Sequence, residues 1–201
     1  MKVVSFTVGQ MAVNCFLFYN SKTNHCLIID PGDEADFITD KLLQLKLTPK
    51  AILLTHGHFD HLLAAGEIQQ TFKIPLAINF QDTFLVKRAI DSAKHWLGNQ
   101  QVYLSPEPKI DLAKEINISL DNEKIKVIHT PGHTPGGSCF YHQKSKSLFT
   151  GDTLFPDGYP RADFAYSSTA DLKKSQQKLS QFLPATVYPG HGQWKTLNKL
   201  L

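Results

Sequence analysis

Four separated segments of this sequence share one pattern, in which a short apolar run leads directly into a turn that carries histidine or aspartate. The first apolar run, at 52–54, leads into His56–His61, which reads His-Gly-His-Phe-Asp-His. The other three turns carry His133, Asp152 and His191. Because binding residues commonly lie on loops at strand ends, where a rigid sheet presents them, the pattern predicts strands that converge on one polar site.

The His56–His61 segment is the most specific of the four. In an extended loop, residues two apart point the same way, so His56 and His58 can bind one ion together. Asp60 and His61 follow where a helix begins and can face a second ion, while Gly57 lets the backbone turn without a side chain in the way. The alternative is a solvated histidine-rich loop in which Asp60 only caps the helix.

Composition excludes several classes of protein. Hydrophobic residues make up 42% and charged residues 19% of the 201 residues, an ordinary globular balance. No apolar run reaches the roughly 18 residues of a membrane span, and the N-terminus lacks a signal peptide, so we expect a soluble cytoplasmic protein without a membrane partner. The three cysteines show no paired spacing that would indicate a disulfide framework or a zinc ribbon. The net charge of +3 forms no basic stripe, so no nucleic-acid partner is expected.

The order of predicted elements indicates an α/β fold. Three β-like runs at 3–8, 14–19 and 26–29 predict an antiparallel meander. Helices are predicted at 36–47, 62–72, 80–97 and 171–183, the third ending at the Gly98-Asn99 stop signal. Further strands are predicted at 51–54, 75–79, 124–129, 137–142, 147–150 and 186–188, and 100–120 reads as irregular. This order predicts two packed sheets with outer helices, in a single domain spanning 1–201.

The ligand order resembles that of the metallo-β-lactamase superfamily over nearly the whole chain. The superfamily pattern is His-x-His-x-Asp-His, then Gly-His, Gly-Asp and Gly-His. The turns around His133 and His191 are most similar to the glyoxalase II branch, whose enzymes hydrolyse S-acylglutathione thioesters. The resemblance implies a four-layer αββα sandwich of two mixed β-sheets, with the site at one edge. Only 10 residues follow His191, so we expect no C-terminal helical glutathione-binding domain and a closer similarity to short, single-domain members.

The resemblance also implies a role for each candidate ligand. Two divalent cations are expected, with zinc as the first choice and iron or manganese as alternatives. The first cation would be bound by His56, His58 and His133, the second by Asp60, His61 and His191, and Asp152 would bridge them. Asp30, at the end of the third strand, matches a family aspartate beneath the metal loop. We expect Asp30 to hold a ligand histidine or a loop amide, although an Asp-Pro-Gly turn residue is the alternative.

These ligands predict hydrolytic chemistry. Two divalent ions about 3.5–4 Å apart lower the pKa of a shared water towards neutrality and so provide a bridging hydroxide as nucleophile. Asp60 is the expected catalytic residue, because its carboxylate would orient that hydroxide. A thioester suits this site, since a leaving thiol with a pKa of about 8.5 needs no dedicated general acid. The sequence therefore predicts a dinuclear thioesterase that acts on a small acyl-thiol such as S-lactoylglutathione.

The segment after Asp152 leaves the substrate and one rival function open. It resembles a family loop of form Gly-x-x-Arg-x-Asp, in which Arg161, and less strongly Tyr159, would contact a substrate carboxylate. The alternative is an Arg161–Asp163 ion pair that only fixes the loop. The rival function is a mononuclear iron persulfide dioxygenase, whose loop reads similarly, and hydrolysis of another small ester or a lactam is the further alternative. The oligomeric state stays open.

Overall fold

The computed structural model describes residues 1–98 and 102–200, and its first six strands form one mixed sheet. The strands are β1 (Lys2–Val8), β2 (Val13–Tyr19), β3 (His25–Ile29), β4 (Thr48–Leu53), β5 (Leu76–Ile78) and β6 (Pro108–Asp111). They lie side by side in chain order. The predicted antiparallel meander of β1, β2 and β3 is confirmed, and β3 to β6 run parallel.

The second sheet contains the strands of the C-terminal half. They are β7 (Asn117–Leu120), β8 (Glu123–His129), β9 (Ser138–His142), β10 (Ser147–Gly151), β11 (Ala185–Pro189) and β12 (Lys195–Leu197). Their order across the sheet is β12-β11-β10-β9-β8-β7. Strands β10 and β11 are parallel, and the other neighbouring pairs are antiparallel. Strands β8, β10 and β11 therefore end at the same edge.

The two sheets pack face to face with helices on both outer surfaces. The helices are α1 (Ala35–Gln44), α2 (Ala65–Phe72), α3 (Thr83–Leu97) and α4 (Thr169–Leu179). Alternate residues of β2 separate the layers: Phe16 and Phe18 lie between the sheets, whereas Leu17 packs in the cluster under α1, α2 and α3. Leu179 of α4 joins a separate cluster on the far side of the second sheet. The four-layer αββα sandwich is thus confirmed, and burial on both faces explains why residues 15–18 of β2 are all apolar.

The prediction missed three short strands, β6, β7 and β12. β6 and β7 fall within the stretch predicted as irregular, whose residues 100 and 101 lie outside the described ones. These strands have three or four residues and mixed polarity, so pairing with a neighbouring strand decides their conformation rather than a local pattern. The end of α3 at Gly98 agrees with the predicted stop signal, since Gly98 has a φ of 63°, while Asn99 lies outside the described residues.

The predicted helix at 62–72 begins later than expected. α2 starts at Ala65, because Phe59–His61 forms one turn of 3₁₀-helix and the next residues bond to a neighbouring loop. The amide of Leu63 donates to the carbonyl of Gly32 at 3.0 Å. Within the described part of the chain, none of the helices combines the length and the apolar character that a bilayer crossing requires.

Candidate metal centre

The structure brings the four predicted ligand turns together at one edge of the sandwich. The first turn follows β4, and the other three follow β8, β10 and β11. All seven predicted ligand side chains meet there, in overlapping groups whose ligand atoms lie within 4.8 Å of one another: His56, His58, Asp60, His61, His133, Asp152 and His191. This close approach explains why a glycine, Gly190, precedes the ligand His191: a Cβ at position 190 would collide with Asp152 and with the His61 ring.

Three histidine rings form the first ligand set. The Nδ1 atom of His58 lies 3.0 Å from Nε2 of His56 and 2.9 Å from Nε2 of His133. The Nδ1 of His133 donates to the carbonyl oxygen of Arg161 at 2.7 Å, so in the neutral ring Nε2 holds a lone pair. Burial, reinforced by the neighbouring histidines, lowers the pKa of His56 well below its ordinary value and that of His58 to about 3. His56 and His58 are therefore held in the neutral form that binds a cation.

Asp60, His61 and His191 form the second ligand set, and Asp152 lies between the two. The Oδ2 atom of Asp60 lies 3.3 Å from Nε2 of His191 and 3.8 Å from Nε2 of His61. One oxygen of Asp152 is 3.6 Å from Nε2 of His61. Its other oxygen is 3.6 Å from Nε2 of His133. Asp152 can therefore contact cations bound at both sets.

Two orphaned atoms test whether a cation fits this site. Nε2 of His61 and Oδ1 of Asp152 are buried and have no hydrogen-bond partner among residues 1–98 and 102–200. Buried polar atoms without a partner cost free energy, and a divalent cation between them would remove that cost. The donors are imidazole nitrogens and carboxylate oxygens, which suit zinc, iron and manganese. The residues present fit two divalent cations.

The second set carries charge in the metal-free protein. Burial disfavours the imidazolium of His61, but Asp60 and Asp152 outweigh that effect and raise its pKa to about 9. Burial also disfavours the Asp60 carboxylate, yet the neighbouring His61 and His191 outweigh it and hold the pKa of Asp60 below its ordinary value. At neutral pH, before any cation binds, His58 of the first set is thus neutral and His61 of the second set is protonated.

We expect a cation at the second set to release protons when it binds at neutral pH. The raised pKa of His61, about 9, means that its Nε2 holds a proton there, which the cation must displace. Affinity at this set should therefore fall as the pH is lowered below that pKa. Calorimetric titration of metal-free protein with Zn²⁺, in buffers of different ionisation enthalpy, counts the protons. The first set, in which His56 and His58 are neutral, supplies the internal comparison. Release of no proton over the whole titration would contradict the expectation.

Asp30 lies beneath the ligands, as the sequence predicted. It is buried, and its carboxylate accepts hydrogen bonds from the amide and the hydroxyl of Thr55 at 2.7 and 2.6 Å. The Nδ1 of His61 lies 3.0 Å from Oδ2 of Asp30. Asp30 thus contacts both a ligand histidine and a loop amide, which a turn residue alone would not do. These contacts leave Nε2 of His61 directed at the site.

Asp82 is an important residue that sequence reasoning missed. Its carboxylate accepts hydrogen bonds from the amide of Gly57 at 3.0 Å, the hydroxyl of Thr134 at 2.7 Å and the amide of Gly136 at 2.6 Å. Asp82 therefore ties the His56–His58 turn to the His133 turn. A Cβ at Gly57 would lie 2.8 Å from the carbonyl oxygen of Asp82, so this close approach, rather than chain reversal, requires glycine. The sequence offers no local signal, since Asp82 resembles any acid at a helix start.

Tyr166 was missed as well. Its hydroxyl lies 2.8 Å from Nε2 of His58, and its ring stacks on Phe164 at an interplanar angle of 11°. Burial, with a contribution from Asp82, raises the pKa of Tyr166 to about 12, so the phenol is neutral. The hydroxyl can accept from the ring N–H of His58 and leave Nδ1 free for a cation. The aromatic pair after the Arg-x-Asp segment was the available signal.

Arg161 and Tyr159 both line the cavity above the ligands. The guanidinium of Arg161 forms a two-bond ion pair with Asp163, both distances being 3.0 Å, and lies 4.6 Å from the centroid of the Phe164 ring. The ion pair proposed as the loop-fixing alternative is therefore formed. Tyr159 is 98% exposed at the rim. The sequence did not anticipate that the backbone carbonyl of Arg161, rather than its charge, holds His133.

Comparisons with known proteins agree with this geometry. A family model described as the metallo-beta-lactamase superfamily matches residues 8–191. Hydroxyacylglutathione hydrolase GloC of Haemophilus influenzae is 33% identical over 205 residues, covering 99% of this chain and 94% of that protein. The crystal structure of BLEG-1 B3 metallo-beta-lactamase is similar with a TM-score of 0.89 and 30% identity, covering 97% of this chain and 94% of its own. TTHA1623 in a di-iron-bound form has a TM-score of 0.85 and 30% identity, covering 96% and 94%.

Proposed function

The chain belongs to the metallo-β-lactamase superfamily of metallohydrolases, and from that premise we propose that it hydrolyses a thioester of a small acyl-thiol at a dinuclear centre. One observation carries the proposal: two complete ligand sets share Asp152 at the floor of a single open cavity. The similarity to GloC, named a hydroxyacylglutathione hydrolase, supports an S-acylglutathione such as S-lactoylglutathione as the first substrate to test.

The ligand atoms support two cations, with zinc as the first choice. His56, His58 and His133 would hold one cation, and Asp60, His61 and His191 the other. When bound, two such cations lower the pKa of a water and polarise a carbonyl group. Four-coordinate zinc commonly uses histidine nitrogens and carboxylate oxygens. Iron is the first alternative, because TTHA1623 was crystallised in a di-iron-bound form.

The protein's own groups would position the reactants. The Asp60 carboxylate is ionised and largely buried, and it lines the cavity together with His191. It can accept a hydrogen bond from the attacking water and so fix the direction of the oxygen lone pair. Departure of a thiolate needs no proton donor near neutral pH, since ordinary thiols have a pKa of about 8.5.

Metal analysis of the purified protein, paired with hydrolysis of S-lactoylglutathione, tests the proposal. We expect two equivalents of a divalent metal per chain, release of free thiol, loss of turnover after chelation and recovery when Zn²⁺ is restored. The matched control is chelated protein given Mg²⁺, which favours oxygen ligands and should not restore turnover.

Two other outcomes would replace this function. One iron per chain, with oxygen uptake on glutathione persulfide, would identify the persulfide dioxygenase that the sequence left open. Faster turnover of a chromogenic cephalosporin than of any thioester would identify a lactam hydrolase, an alternative favoured by the similarity to BLEG-1.

A further inference from the structure

We propose that the substrate carries an extended apolar arm, which packs against a wall formed by Met11, Leu85, Trp96 and Phe155, here called the apolar wall. The inference rests on the proposed thioester hydrolysis and deepens it by naming the class of substrate. The apolar wall lines the same cavity as the ligands His58, Asp60, His133, Asp152 and His191, and that cavity has a volume of 430 Å³. A substrate whose reacting carbon lies over the ligands therefore has an arm within reach of the wall.

Helix α3 supplies one side of the apolar wall. Leu85, Ser92 and Trp96 line the cavity, and their spacings of seven and four residues place them on one helix face. Ser92 is small, so it leaves a shallow slot between its two larger neighbours. Trp96 is 67% exposed, which is unusual for so large an apolar ring. An apolar ligand that covered this ring would remove that surface from water.

Two further apolar side chains line the same cavity. Met11, in the turn between β1 and β2, is 46% exposed, and Phe155, three residues after Asp152, is half-buried. A group of exposed apolar side chains beside a polar site is typical of a ligand-binding surface. The slot is continuous with the ligands, so a bound substrate is the occupant that the position of the wall favours.

The charges around the cavity disfavour a strongly anionic arm. Among the described residues that line it, Arg161 is the single lysine or arginine. Its guanidinium is bound to Asp163 through two hydrogen bonds and lies over Phe164, so a substrate carboxylate would have to displace an existing partner. Glutathione, with two carboxylates, would therefore find no unpaired lysine or arginine among these described residues, whereas an apolar arm needs none.

Two matched series of thioesters test the inference and identify the arm. In one, acetyl, butyryl and hexanoyl groups are joined to N-acetylcysteamine; in the other, the acetyl group is fixed and the thiol carries a short or a long alkyl chain. Full burial of a methylene is worth about fourfold in kcat/KM, so a wall open to solvent on one side should give about twofold per methylene. The series in which kcat/KM rises identifies the arm that contacts the wall.

Trp96→Ala should flatten the rising series. We expect kcat/KM for the longest substrate to fall by about tenfold and that for the shortest to change by less than about twofold, because the lost contact lies beyond the first carbons. Trp194→Ala is the matched control: this ring is 54% exposed but lines a separate groove with Ser5 and Asn14. Both positions are exposed, so both variants should fold and bind metal normally.

Fluorescence measures binding without turnover. In a Trp194→Phe background Trp96 is the single indole of the chain. An S-hexyl thioether of N-acetylcysteamine should shift its emission to the blue and saturate, whereas glutathione should not. A shift that follows protein concentration instead would mean that a second copy covers the wall, which would overturn the inference.

The two proposals fail in different ways. Hydrolysis of thioesters with no dependence on chain length, and no shift of Trp96 emission, would overturn the apolar arm and leave thioester hydrolysis standing. A saturable shift without metal-dependent hydrolysis of any thioester would support the apolar wall and overturn the proposed function.

Discussion

The substitution Asp60→Asn is expected to lower kcat for metal-dependent hydrolysis by about a thousandfold or more, because the carboxylate proposed to orient the attacking water is also one of the ligands, and both roles are lost together. Asparagine keeps the shape but removes the negative charge that faces His61 and His191. Because Asp60 is one of the three residues of the second ligand set, that set should also bind its cation more weakly. KM should change much less than kcat, because Asp60 acts on the attacking water and not on the substrate arm.

Metal content and turnover must be measured together to interpret this variant. Thiol release is assayed at saturating Zn²⁺, and bound metal is counted in the same samples. The two measurements distinguish the loss of a bound cation from the loss of the carboxylate that orients the attacking water. Asp157→Asn is a suitable control, since this aspartate is exposed and paired with Lys195. An Asp60→Asn protein with two bound cations and a kcat within about tenfold of wild type would remove Asp60 from the proposed chemistry.

The substitution Asp82→Ala is expected to lower the free energy of unfolding by about 3–5 kcal/mol, since each of three buried donors loses its acceptor at a cost of about 1–3 kcal/mol. Those donors belong to Gly57, Thr134 and Gly136, which flank ligands of the first set. For a chain of this length the loss corresponds to a drop in Tm of about 10 °C. Chelator competition should show that Asp82→Ala weakens cation binding at the three-histidine set more than at the second set, because Asp30 supports the second set separately.

Two control variants distinguish the loss of the Asp82 hydrogen bonds from general damage to the fold. Asp91→Ala removes an exposed carboxylate of α3 and should change Tm by less than about 2 °C. Asp82→Asn keeps one acceptor oxygen and should recover part of the stability and of the metal affinity. Thermal unfolding is followed with and without EDTA. Equal weakening of both cation sites, or a metal-free Tm unchanged by Asp82→Ala, would show that Asp82 does not tie the two turns together.

Much of the sandwich could be predicted from local pattern. A strand such as β2, apolar on both faces, must be covered on both sides, and its neighbour β3 carries the same pattern. The short strands β6, β7 and β12 could not be predicted in this way. Their conformation depends on backbone hydrogen bonds to a partner strand, and nothing in a few residues of mixed polarity shows that a partner exists. The late start of α2 has a similar cause, since distant loop atoms bond to Leu63.

The candidate site divides along the same line. The candidate ligands could be predicted together, because an apolar strand followed by a histidine or an aspartate is a contiguous pattern that the chain repeats, whereas a single Gly-His or Gly-Asp turn indicates little. Their division between two cations came from the family resemblance. Asp30 could be placed only through a family resemblance. Asp82 carried no local signal, and for Tyr166 the only signal was the aromatic pair after the Arg-x-Asp segment. The pairing of Arg161 with Asp163 stayed one of two alternatives until the side chains were placed.

The sequence by itself therefore determined the candidate ligand residues and most of the strands that present them. Only the tertiary structure decided what supports those donors and what kind of cavity lies above them. Asp82 reaches Gly57 across 25 residues and Gly136 across 54, and helix α3 brings Trp96 beside ligands from both sheets. The physical reason is that each candidate ligand belongs to a pattern of residues contiguous in the sequence. The side chains that hold the ligands in place and line the cavity are brought there by contacts that exist only after the two sheets have packed.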